Sequence, residues 1–302
     1  MTNQRITIDE NDAMLRYLVR DGQARVFFCR TTQMTQQAAD THLASDVATA
    51  AMGRFLSGAA VLGAMEKDAN TSITVAADGG GAGGRMTAVV RGSEIKITVE
   101  RPQAQLPTLN GRQDVGGYIG KEGRLTVVRD YGTGEPYIGI SALVSGELGE
   151  DFAQYFTVSE QVPSLVALGC LNQDGVVLSA GGIVIQAMPG CTDETLTELE
   201  NRIPFFEGIS RELYDRPMQE LADSWLGSLG LTLLSNTPLH LACDCSREKM
   251  RAALLALGAE ELKEILNEGR ETQMICHFCR SRHVFKTSEI ADMHRQLTEE
   301  TP

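Results

Sequence analysis

No stretch of this chain approaches the roughly 18 consecutive apolar residues that a membrane-spanning helix needs. Met1 to Glu10 carry neither an apolar run nor a cleavage-site pattern, so a secretory leader is not expected. Basic residues are scarce: 27 Lys and Arg stand against 40 Asp and Glu, for a formal net charge of -13. A surface of that sign repels phosphate backbones and anionic lipid, which argues against nucleic acid or a membrane as partner. Also missing are G-K-[ST], G-x-S-x-G, H-E-x-x-H and any paired-carboxylate arrangement. A P-loop is thereby excluded, and no enzyme active site stands out. There is no internal repeat and no low-complexity tract. The expectation is a soluble cytoplasmic protein that is not an enzyme, in a compartment where thiols stay reduced.

What is present supports a substantial core: 302 residues, 42% hydrophobic and 22% charged, are enough for more than one domain. Val26 to Cys29 reads as a short strand. Thr41 to Asp68 is Ala-rich with apolar residues at helical spacing, and its small residues Gly53, Gly58 and Gly63 admit close neighbours. Strand-like runs follow at 72–76, 86–91, 94–100, 124–129 and 137–144. Residues 152–168 return to helical spacing, and 175–188 read as one more hairpin. Strands in runs with helices set apart indicate an α+β fold with a largely antiparallel sheet. The chain divides on this reading into an α+β core (1–190), an amphipathic helical linker (191–238) and a small C-terminal domain (239–302) that holds four of the cysteines. The linker holds Phe205, Phe206, Trp225 and Leu226 among many acidic residues.

Gly79 to Gly84 satisfies G-x-G-x-x-G literally, but Arg85 to Arg91 is strand-like where a dinucleotide fingerprint requires a helix, so a flexible hairpin tip is expected. Cys29, Cys170 and Cys191 are isolated among apolar neighbours and are expected to be small buried hydrophobes. His42 is expected to cap or pack the long helix.

The remaining four cysteines fall in two close pairs, Cys243-x-Cys245 and Cys276-x-x-Cys279. Pairs separated by one or two residues can each supply an edge of the tetrahedron that zinc prefers. The second pair begins 33 residues after the first, and helical periodicity around Gly258 predicts a hairpin that returns the chain so that the pairs meet. Four sulfurs form a closed site, structural or regulatory rather than catalytic. Arg247, Lys249, Arg251, Arg280, Arg282 and Lys286 flank the pairs and are positioned to offset thiolate charge. His277 and His283 are rival ligands. An inert zinc knuckle and a redox switch both fit these residues. In either case metal ligation supplies much of the segment's stability, and oxidising the thiolates removes the ligands and unfolds it.

The cysteine motif, Cys243-Asp244-Cys245-Ser246-Arg247-Glu248-Lys249 with Cys276-His277-Phe278-Cys279, resembles the zinc-binding end of the 33 kDa heat-shock protein family. That family comprises redox-regulated holdase chaperones. Leu143 to Asp151, Tyr155-Phe156, Ser159 to Ser164 and Ala180 to Gly182 resemble its other segments in the expected order, so the likeness covers nearly the whole chain. The resemblance implies Zn²⁺ held by Cys243, Cys245, Cys276 and Cys279 in an inactive reduced state. It also implies oxidation to Cys243–Cys245 and Cys276–Cys279 disulfides, unfolding of the C-terminal domain and linker, ATP-independent binding of unfolding client proteins, and a homodimer when oxidised. Phe205, Phe206, Trp225 and Leu226 are the expected client-binding residues, covered while the switch is off. Two rivals stand beside it. A thiol–disulfide oxidoreductase using Cys276 and Cys279 lacks the β-α-β context of such motifs. A zinc-ribbon nucleic-acid binder lacks a basic patch, since acidic residues slightly outnumber basic ones from Leu239 onward.

Overall fold

The computed structural model describes residues 11–299, so the expectation of no leader at residues 1–10 falls outside the described residues. The first unit runs to Ala242 and the second from Cys243. The first opens with β1 (Ala13–Val19), β2 (Ala24–Arg30), α1 (Thr32–His42) and α2 (Asp46–Met65). Next come β3 (Ser72–Asp78), β4 (Met86–Arg91), β5 (Glu94–Val99), α3 (Val115–Ile119), β6 (Arg124–Asp130), β7 (Tyr137–Ala142) and α4 (Gly149–Val158). It continues through β8 (Ser164–Gln173), β9 (Val176–Ala187), α5 (Asp193–Glu200), α6 (Ile203–Phe206), α7 (Ile209–Asp215) and α8 (Met218–Leu226). It closes with β10 (Leu231–Pro238) and β11 (His240–Leu241).

Two sheets result, β10-β1-β2-β9-β8 and β11-β5-β4-β3-β6-β7, antiparallel except where β11 runs parallel to β5. The fold is α+β, as the sequence predicts. Between the sheets lies α2, apolar on every side and therefore buried, as such a helix must be. It is the one described helix long and apolar enough to cross a membrane, and 83% of its apolar window is buried in the core. Its glycines permit that packing: a Cβ at Gly58 would lie 2.3 Å from the Phe152 ring. The other face of the five-stranded sheet is covered by α5 to α8. Successive strand side chains alternate between the two cores: Phe27 and Cys29 face α2, whereas Val26 and Phe28 face the helical layer. Because both faces are covered, the strand reads as a continuous apolar run.

Several expectations need correction. The helix over 41–68 is two helices, broken where Leu43 turns left-handed (φ 51°) and Ser45 caps α2 through the Ala48 amide at 3.3 Å. The helical reading of 152–168 fails after Val158: Pro163 disfavours helix at Val162, and β8 follows. Val166, Leu168 and Cys170 pack on the α2 side and Leu165 and Ala167 on the other, so apolar spacing cannot separate strand from helix here. Residues 175–188 are not a hairpin but one long strand paired with β8. Gly181, mid-strand, is there because a Cβ would sit 2.3 Å from the Cys29 carbonyl. The expected helical linker over 191–238 is helical only in part, since 231–238 form β10 on β1, and the first compact unit ends at 242 rather than 190. Gly79 to Gly84 does join β3 to β4, but it is packed rather than flexible: the Gly81 and Gly83 amides bond to the Ile119 and Tyr118 carbonyls at 3.0 and 2.8 Å.

The second unit contains α9 (Arg247–Leu255), α10 (Ala259–Asn267), the hairpin β12 (Thr272–Ile275) and β13 (Arg282–Phe285), and α11 (Thr287–Glu299). Its core is five buried residues, Leu254, Leu262, Phe285, Ile290 and Met293.

Candidate metal centre

Each cysteine pair is set by a local stop signal. Ser246 caps α9 by accepting from the Lys249 amide at 3.3 Å, which leaves Cys243 to Cys245 extended just ahead of the helix. Cys276 and Cys279 occupy the tip of the β12–β13 hairpin. There the Arg280 amide donates to the Cys276 carbonyl at 3.0 Å, the Cys276 amide to the Ser281 carbonyl at 2.9 Å, and Arg280 adopts φ 58°. The α9–α10 hairpin brings the two segments together, as its periodicity predicts.

Cys243 Sγ lies 3.7 Å from Cys276 Sγ and Cys245 Sγ 3.3 Å from Cys279 Sγ, and all four sulfurs fall within 4.8 Å of one another. A tetrahedron with Zn–S distances of about 2.3 Å needs sulfurs about 3.8 Å apart. The donor set and its spacing therefore fit a tetrahedral, thiophilic cation. Cys276 is buried and the other three are half-buried. Burial acts to raise the Cys243 and Cys279 thiols. At Cys279 hydrogen bonds from the Ser281 hydroxyl and amide outweigh it, with help from Cys245 and Cys276, and bring the thiol down to about 6. Cys243 is pushed up to about 12 by burial and by donating to its neighbours.

Of the rival ligands, His277 is exposed and outside the sulfur cluster. His283 approaches, with Nε2 4.0 Å from Cys245 Sγ and 3.3 Å from Ser281 Oγ. Ser281, which the sequence reading passed over, reaches Cys245 Sγ at 3.2 Å and Cys279 Sγ at 3.1 Å. Its position two residues after the last cysteine was the available signal. Three of the flanking cations are engaged elsewhere: Arg247 with Glu289 and over the Phe285 ring, Lys249 with Asp244, Arg251 with Gln296.

The isolated residues divide. Cys29 is buried, and the sulfur of the half-buried Cys170 points inward to the Thr49 carbonyl; burial pushes both up to about 12. Cys191 is half-exposed, contrary to expectation, because it follows β9 in the turn that leaves the sheet. His42 ends α1, buried, with Nε2 3.1 Å from the Ile97 carbonyl. Phe206, Trp225 and Leu226 are buried beneath the helical layer, Trp225 stacked on Phe28 at 5.8 Å and edge-on to Phe206 at 5.4 Å. Phe205 departs from the expected covered state: it is 53% exposed.

With that geometry in hand, the chain was compared with known proteins. The family model described as Hsp33 protein matches residues 12–286. The 33 kDa chaperonin of Clostridium tetani is 37% identical over 290 residues, covering 94% of this chain and 98% of the relative. That of Clostridium botulinum (strain Langeland) is 38% identical over 288 residues, covering 93% and 97%. The crystal structure of the 33 kDa chaperonin (heat shock protein 33 homolog) from Thermotoga maritima superposes with a TM-score of 0.88 at 29% identity, covering 96% of this chain and all of that one.

Proposed function

Because the chain belongs to the Hsp33 family of chaperones, we propose that it is a redox-regulated, ATP-independent holdase rather than an enzyme. The single observation that carries the reading is the convergence of four sulfurs within 4.8 Å in a unit whose core is five residues. Cys243, Cys245, Cys276 and Cys279 hold Zn²⁺ in the reduced, inactive protein. Zinc bound there would offset two of the four thiolate charges and cross-link the stretch before α9 to the β12–β13 hairpin.

Oxidation by hypochlorous acid, or by peroxide under unfolding stress, joins Cys243 to Cys245 and Cys276 to Cys279. Formation of each disulfide passes two electrons from a pair of thiolates to the oxidant, and the joined sulfurs no longer ligate. With only five buried residues left to hold it, the second unit unfolds, and α5 to α8 loosen with it. Phe206, Trp225 and Leu226, and the sheet beneath them, then become available to apolar segments of unfolding clients; Phe205 is available from the start. The oxidised protein acts as a dimer in the cytoplasm, without nucleic acid or membrane. The acidic balance supports that restriction.

The test pairs zinc and thiol titration with suppression of client aggregation, before and after hypochlorous acid. Expected are four thiols and one zinc lost together as protection appears. If protection is equal in both states, or is unchanged when all four cysteines are serine, the reading fails. Catalytic turnover of insulin reduction would instead favour the oxidoreductase.

A further inference from the structure

β8 is an outer strand of its sheet, hydrogen-bonded on one side only, to β9. Along its free side runs a cavity of about 660 Å³, lined by every residue from Leu165 to Asn172. Side chains along a strand alternate between faces, so a cavity over one face would touch every second residue. Contact with eight in succession means that this cavity follows the strand's edge. At about 3.3 Å per residue it extends for roughly 26 Å.

The backbone polarity of that edge follows from two glycines. A Cβ at Gly182, on β9, would meet the Ala167 carbonyl oxygen at 2.9 Å, so Ala167 points its polar groups toward β9. A Cβ at Gly149, at the start of α4, would come nearest to the Val166 carbonyl oxygen at 3.8 Å, on the opposite side. A strand residue directs its N–H and C=O the same way, so Val166, Leu168 and Cys170 present theirs to the cavity. Among the described residues no hydrogen bond to these outward groups is formed. Rows of unpaired N–H and C=O groups are a template for another strand.

The walls define what that strand carries. Toward the helical layer the cavity meets Ile203, Phe206 and Ile209, and the charged residues of its lining balance, Arg54, Arg112 and Arg211 against Glu147, Glu150 and Glu207. The charges in that wall neutralise one another, which suits an uncharged backbone better than a phosphate or a nucleic acid. An added strand would keep both sheet layers in place while directing alternate side chains to an apolar and a polar wall.

We propose that the β8 edge is a docking rail for an extended client segment of alternating apolar and polar residues, taken up by strand addition through the outward amides of Val166, Leu168 and Cys170. This rests on the holdase reading and specifies where that activity engages its client. Main-chain pairing makes the site tolerant of client sequence. The edge belongs to the sheet, so it outlasts any loosening of the helices above it.

Amide hydrogen exchange on the full oxidised chain, with and without carboxymethylated, unfolded lysozyme, tests it. Expected is at least about tenfold slower exchange at Val166, Leu168 and Cys170 with client bound, and no change along β7, an outer strand of the six-stranded sheet. Co-sedimentation of client with those three amides unchanged overturns the rail while the holdase reading stands. Slowing that appears without client and grows with protein concentration assigns the edge to a second copy of the chain and overturns the client assignment. If no client binds at all, both readings fall.

Discussion

The two units of this chain solve the stability problem differently. Up to Ala242, two sheets bury both cores around α2 and under α5 to α8, and burial alone suffices. From Cys243 onward the hydrophobic cluster is only five side chains, and four sulfurs converge beside it. A small core seldom supplies more than a few kcal/mol, whereas structural zinc contributes about 10–16 kcal/mol in small domains. The contrast teaches that a single chemical event can remove one unit while the sheets of the other stay folded.

The largest expected effect is on the metal. Chelation, or Cys276→Ser, should abolish the native fold of the second unit and open Arg247 to Glu299 to protease, while the two sheets of the first unit stay folded. Limited proteolysis with calorimetry checks this, and a joint melting of both units would erase the contrast. Next is Trp225→Ala, which removes the ring stacked between Phe28 and Phe206 and should cost about 3–5 kcal/mol. Apolar-dye binding should then rise in the reduced protein with zinc retained, measured by fluorescence and zinc titration.

Smaller is Ser281→Ala, which deletes hydroxyl contacts to Cys245 and Cys279 and should weaken zinc affinity about 10–100-fold, read by competition with a chromogenic chelator. The smallest is Cys191→Ser, which should shift stability by less than about 0.5 kcal/mol by denaturant titration. In native protein, thiol mapping by mass spectrometry should find Cys191 alkylated and Cys29 and Cys170 protected, because burial pushes the latter two up to about 12 and keeps them as thiols.

Much of this was legible from residue order. The strands at 72–76, 86–91 and 124–129 alternate because one face of their sheet is buried and the other half-exposed, and period-two patterns survive only in that setting. β8 lost the pattern because both its faces are covered, and its apolar spacing imitates a helix. β10 was hidden inside an acidic, helical stretch since nothing local announces a pairing with β1, more than 200 residues earlier. The sulfur cluster was readable because ligand spacing is local within each pair; Ser281 and His283 were not singled out as hydrogen-bonding partners, since their roles arise only when both pairs meet. Phe205 was misjudged for a related reason: composition identifies an amphipathic segment but not which of two adjacent rings turns inward.

The chain's last grip on the first unit is the short β11, with the Ala242 amide on the Ile95 carbonyl at 2.9 Å, one residue before the first sulfur. Melting that begins at the cysteines therefore meets its first paired strand at β11. What is released is a tether of 60 residues rooted at Ala242, with a coil span on the order of 45 Å. On the proposed holdase reading, such a brush would keep neighbouring loaded particles apart by crowding alone, a service that calls for no recognition.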